Sequence, residues 1–141
     1  MPFCLHSCIN HLFLKFAKDM PTKQIEIPMP WGYIKGQIFG QIEGRSQTPI
    51  LCLHGYLDNS NSFKPLVKYL CATNEYYMIA LDLPGHGLSS KISEPLLFNF
   101  KTYIYSVRKT VEFLNLKTFV FLTHSFGCTP GLMVRFNLFL L

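Results

Sequence analysis

Ser125 closes the run "FVFLTHSFG", in which four apolar residues give way at once to a small polar cluster. A serine hydroxyl is a weak nucleophile until a turn presents it and a nearby base takes its proton. A sharp strand-to-helix turn does the presenting. It lifts Oγ clear of the sheet, and its crowding demands small neighbours, which is the reason for the pattern G-x-S-x-G. Here Ser125 holds the serine position and Gly127 the second glycine, while Thr123 replaces the first. His124 adjoins the serine, but neighbouring side chains diverge on such a turn. Packing beside the turn is its expected role, ahead of service as a base.

Acyl transfer also needs donors aimed at the developing oxyanion. In this geometry one is the backbone N–H after the nucleophile, that of Phe126, and the other comes from the loop after an earlier strand. "HGYLDN" supplies such a loop: Gly55 permits tight curvature and Tyr56 would present the second N–H. The plainer reading of His54-Gly55 is an ordinary turn with a hydrogen-bonded histidine. Asp58 and Asn59 are expected to cap or brace this loop. In "DLPGHGLSS", Gly85 and Gly87 frame His86. There Asp82 is expected to accept from loop N–H groups, and His86 to fix the loop.

These clusters need elements to hold them. "KQIEIPMPWGYIKGQIFGQIEG" alternates apolar and polar residues on both sides of Trp31-Gly32, the period-2 signature of two paired strands. "TPILCLHG", "EYYMIALDLPG" and Thr118 to Leu122 are short continuous apolar runs, the pattern of strands buried on both faces. Between them lie two helical patterns. One has caps expected at Ser60 and Ser62 and Pro65 near its start; the other runs from Phe100 to Leu116 with Ile104, Val107, Val111 and Leu114 inward. The order predicts an α/β fold: an antiparallel edge hairpin, then parallel strands with flanking helices. All three polar clusters fall at the carboxyl ends of strands, where such sheets bind ligands. Residues 1–23 read as an N-terminal extension and 24–141 as one partial domain.

Bulk composition removes several function classes. The chain has 141 residues, 49% of them hydrophobic, enough for a real core. Its net charge of +5 is scattered, without the clustered basic face of a nucleic-acid binder. Five cysteines without a CxxC pair give no metal-site spacing, and their odd number points to a reducing compartment. No 18 apolar residues run uninterrupted, so no transmembrane helix is expected. The first charge is Lys15, so the basic start of a secretory signal is missing. A cytoplasmic location is expected, with a peroxisomal or other organelle association as the alternative.

Taken together, "PWGYIKGQIFG", "LCLHGYLDNSNSF", "ALDLPGHGLSS" and "THSFG" resemble the α/β-hydrolase superfamily, and within it the serine hydrolase-like proteins. The resemblance runs from about Gln24 to Gly127. It implies an N-terminal half of an α/β-hydrolase fold, Ser125 as nucleophile, Tyr56 and Phe126 as oxyanion donors, a small ester-type substrate, and no metal or organic cofactor. Two departures stand out: Thr123 crowds the turn, and Pro130-Gly131 weaken the helix that should follow.

In this fold the triad acid and histidine follow the serine. Residues 126 to 141, "FGCTPGLMVRFNLFLL", contain no Asp, Glu or His. The expectation is a truncated serine hydrolase-like chain, weak or inactive alone. A hydrolase with a rearranged base (His86 or His124) and a non-enzymatic interaction protein on a hydrolase half-fold are the alternatives. The run "TFVFL", left at a sheet edge, is expected to promote self-association.

Overall fold

A computed structural model describes residues 22–40, 42, 47–92 and 99–138. Of the expected N-terminal extension, residues 1–21 lie outside this set, as do the last three residues of the apolar tail. Thr22 and Lys23 already belong to the first strand.

Five strands form one mixed sheet: β1 (Thr22–Met29), β2 (Gly32–Phe39), β3 (Thr48–Leu53), β4 (Tyr76–Leu81) and β5 (Val120–Thr123), in the spatial order β1-β2-β4-β3-β5. β1 and β2 are the expected hairpin, with Met29 opposite Gly32. β2 meets β4 antiparallel, and β3 runs parallel to both β4 and β5. Among the described residues three helices, α1 (Lys64–Leu70), α2 (Phe100–Phe113) and α3 (Cys128–Leu138), cover the sheet.

The continuous apolar strands are explained by two cores, one on each face. Along β4, Met78 and Ala80 join Phe63, Val67 and Cys71 beneath α1. Ile79 and Leu81 point the other way, to Val107, Val111 and Val134 of α2 and α3. β3 alternates likewise, Ile50 and Cys52 against Leu51 and Leu53. Each fully buried Leu or Ile contributes about 1.5–3 kcal/mol over exposure, so a one-residue slip would send every such side chain into the wrong core.

Some local expectations are corrected. Neither Ser60 nor Ser62 caps the first helical segment; Asn59 does, its side chain accepting from Asn61 N–H at 3.0 Å. A 3₁₀ turn, Ser60–Phe63, precedes α1, so Pro65 falls at the second helical position, where a missing N–H is harmless. α2 stops at Phe113, closed by Asn115 at φ 51°. Pro130 and Gly131 do not break the final helix: the proline sits in the first turn of α3, whose N–H groups have no intrahelical acceptor.

Candidate active site

The carboxyl ends of β3, β4 and β5 lead into three adjoining turns. β5 ends at Thr123, His124 is extended, and Ser125 opens a short 3₁₀ turn that runs directly into α3. Ser125 has φ 50°, a left-handed conformation that non-glycine residues rarely adopt and that must be held by its surroundings. Two backbone bonds hold it: His124 N–H donates to Leu53 O at 3.0 Å, and Gly127 N–H donates to His124 O at 3.0 Å. Gly127 leaves no alternative at its position, because a Cβ there would lie 2.5 Å from Leu53 O and 2.6 Å from His54 O. The turn therefore presses against the end of β3.

The loop after β3 completes that contact. A Cβ on Gly55 would lie 3.0 Å from His124 Nδ1 and 3.4 Å from Ser125 Cβ. Tyr56 and Phe126, the two residues expected to offer N–H donors, face each other with ring centroids 6.2 Å apart. The Tyr56 N–H has no acceptor among the described residues. Phe126 is held edge-on by Tyr103 and Phe100 of α2, at 4.8 and 5.8 Å. Ser125 and His124 are exposed.

His54 is fully buried, and both ring nitrogens are engaged. Nε2 accepts from Leu83 N–H at 2.9 Å, which leaves the proton on Nδ1 to be donated to Gly55 O at 2.6 Å. His54 thus staples the β3 loop to the β4 loop. Burial holds its pKa below the ordinary histidine value. His86 Nδ1 lies 2.9 Å from Pro84 O, and its ring packs on His54, Tyr56 and Tyr103.

Both carboxylate oxygens of Asp82 accept from backbone. Oδ1 accepts from Ser60 N–H at 2.7 Å and Oδ2 from Leu88 N–H at 2.9 Å. Gly87, at φ 51°, is obligatory beside it, since a Cβ would sit 2.3 Å from Asp82 Cγ. Gly85, at φ 76°, makes the other bend of that loop. Asp58 accepts from the Ser62 hydroxyl and from Asn59 N–H, and these bonds hold its carboxyl below the usual range. It braces the loop.

The sequence did not single out three other contributors. Ser89 and Ser90 accept from Lys35 N–H and Tyr33 N–H, each at 2.9 Å, and so pin the β4 loop to β2. Buried Gln37 on β2 donates to the Ser60 hydroxyl at 2.8 Å. The pairing of serines with a strand that lies over 50 residues upstream leaves no local pattern. Among the described residues no three His, Cys, Asp or Glu side chains converge to hold a metal, and no helix is long and apolar enough to cross a membrane.

A half-sheet of this strand order, with a strained serine where its last parallel strand meets a helix, defines a class. The chain belongs to the alpha/beta hydrolase fold family, whose model matches residues 48–134. It is 42% identical over 106 residues to a serine hydrolase-like protein of Danio rerio, covering 75% of this chain and 31% of that one. It is 37% identical over 108 residues to a human serine hydrolase-like protein, covering 77% and 51% respectively. The stretch matched is thus about a third of the Danio rerio protein and about half of the human one. Among solved structures, a hypothetical protein from Pseudomonas aeruginosa superimposes with TM-score 0.71 at 28% identity, over 82% of this chain and 39% of that one. A thioesterase domain from the curacin biosynthetic pathway superimposes with TM-score 0.74 at 21% identity, over 82% of this chain and 40% of that one. At that identity the likeness speaks to the fold alone.

Proposed function

We propose that this chain carries the nucleophilic half of a serine hydrolase acting on small ester-type substrates. Ser125 Oγ attacks the substrate carbonyl, and the N–H groups of Tyr56 and Phe126 receive the negative charge that develops on its oxygen. Such donors are each worth about 2.7–4 kcal/mol in the transition state. The observation that carries the reading is Ser125 at φ 50°, backed by Gly127 and closed over by the Gly55–Tyr56 loop.

The proton on Oγ has no acceptor in this reading until an acid–histidine pair is added. His54 is locked between two backbone groups, and the described bonds of Asp82 and Asp58 go to loop N–H and hydroxyl groups. We infer that an added acid–histidine pair would serve as the base and that this chain without one is slow.

The test joins this chain to the C-terminal half of a serine hydrolase-like relative. The joined protein should hydrolyse short p-nitrophenyl esters, and Ser125→Ala should lower kcat by about 10⁴-fold or more. Hydrolysis that survives the substitution would move the nucleophile elsewhere. The chain alone should react with a fluorophosphonate probe at least about a hundredfold more slowly than the joined protein, the usual worth of a positioned base.

A further inference from the structure

Thr123 occupies the place of the first glycine in G-x-S-x-G, yet β5 still delivers Ser125 into its turn. The room is found on the opposite side of the contact. A Cβ on Gly131 would lie 3.0 Å from Thr123 Cγ2, 3.3 Å from Leu53 Cδ1 and 3.6 Å from Phe121 Cδ1. The tightest of these approaches is to the Thr123 methyl, the group a glycine at 123 would lack. That methyl is not free to swing aside. The Thr123 hydroxyl points to Cys128 Sγ at 3.3 Å, and rotation about χ1 would exchange that contact for another. Gly131 is buried, within the early turns of α3, where glycine is a poor helix former. A Cβ at position 131 would require the Thr123 methyl or α3 to give by a few tenths of an ångström. Gly127, whose place against Leu53 O and His54 O fixes the turn, lies one helical turn back along the same face.

We propose that Gly131 is a positioning residue for Ser125. It receives the Thr123 methyl, so that α3 closes on the sheet and holds the serine turn although position 123 is not glycine. The small residue this turn requires stands on the helix, not at the strand end. The functional half of this inference rests on Ser125 being the nucleophile; the steric half does not.

A double-mutant cycle tests it with Gly131→Ala, Thr123→Ser and the two together. Thr123→Ser deletes the one methyl at issue and keeps the hydroxyl. In the parent background Gly131→Ala should lower Tm by about 5 °C, speed amide exchange of Gly127 about tenfold through the linkage of opening to stability, and slow fluorophosphonate labelling of Ser125. In the Thr123→Ser background the same change should be neutral or stabilising, since alanine is the better helix former. Equal penalties in both backgrounds would overturn the proposal and assign the clash to Leu53 or Phe121. Coupling in Tm with Gly127 exchange unmoved would also overturn it, leaving a packing contact without a positioning role. If Gly131→Ala does not fold, the double variant decides: folded supports the proposal, unfolded overturns it. Labelling that is absent in the joined protein, or that persists in its Ser125→Ala variant, would sink the nucleophile reading, while Gly127 exchange in the chain alone still decides the steric one.

Discussion

His54 is where a single side chain has the widest reach. Its neutral form accepts from Leu83 N–H and donates to Gly55 O, a pairing that a protonated ring, donor at both nitrogens, cannot keep. Burial lowers its folded-state pKa below the unfolded value. The unfolded chain therefore binds the extra proton first, and stability rises with pH through this range. The stabilising contribution is complete above the ordinary histidine pKa of about 6.5 and declines as pH falls below it. Urea midpoints measured between pH 7.5 and 5 should drop, and the drop should shrink in His54→Gln; a flat profile would contradict this account. His54→Leu should cost about 2 kcal/mol or more, because it orphans a buried donor and a buried acceptor. Gly127→Ala should be at least as damaging, since its Cβ would meet two carbonyl oxygens within 2.6 Å.

At the scale of elements, much of the sheet was legible and the helices less so. Strands β3 and β4 announce themselves because both faces are buried, which leaves no polar alternation to confuse the reading. The hairpin was equally plain around Trp31-Gly32. α2 was harder. Its apolar spacing pointed to Ile104 and Leu114, which are only partly covered, while the buried face also holds Thr102, Ser106 and Thr110. Those hydroxyls are hidden at little penalty because Ser106 and Thr110 donate to carbonyls four residues back, at 2.8 Å. A polar residue satisfied by its own helix looks like surface in the sequence. The three strand-end clusters were readable as a candidate site, since glycines and acceptors crowd there. The stitching by Gln37, Ser89 and Ser90 was not, because a hydroxyl bonded to a distant strand has no spacing rule. Ser89→Ala should accordingly loosen the β4 loop by about 1 kcal/mol. Faster amide exchange at Lys35 would report it, and unchanged exchange would count against the stitch.

On the scale of the whole molecule, the sheet ends at β5. Only β3 pairs with it among the described residues, and Val120 is 48% exposed. An apolar edge that carries no charge is a template for another chain. We propose that the isolated chain self-associates through this edge. Light scattering should find oligomers that Val120→Lys shifts toward monomer, because an edge lysine discourages pairing. A parent chain that is monomeric at tens of micromolar would refute the idea.

The same pairing has a consequence in time. Ile50 of β3 lies opposite Val120 of β5, seventy residues further along the chain, whereas its β4 neighbour, Met78, follows much sooner. During synthesis at about 5–20 residues per second, β3 waits roughly 4–14 s after its own emergence for its second partner. In that interval the backbone edge of β3 that faces β5 stays unpaired, and the Ser125 turn, whose His124 N–H donates to Leu53 O, cannot form. The Ser125 turn is thus assembled late, only after β5 has paired with β3.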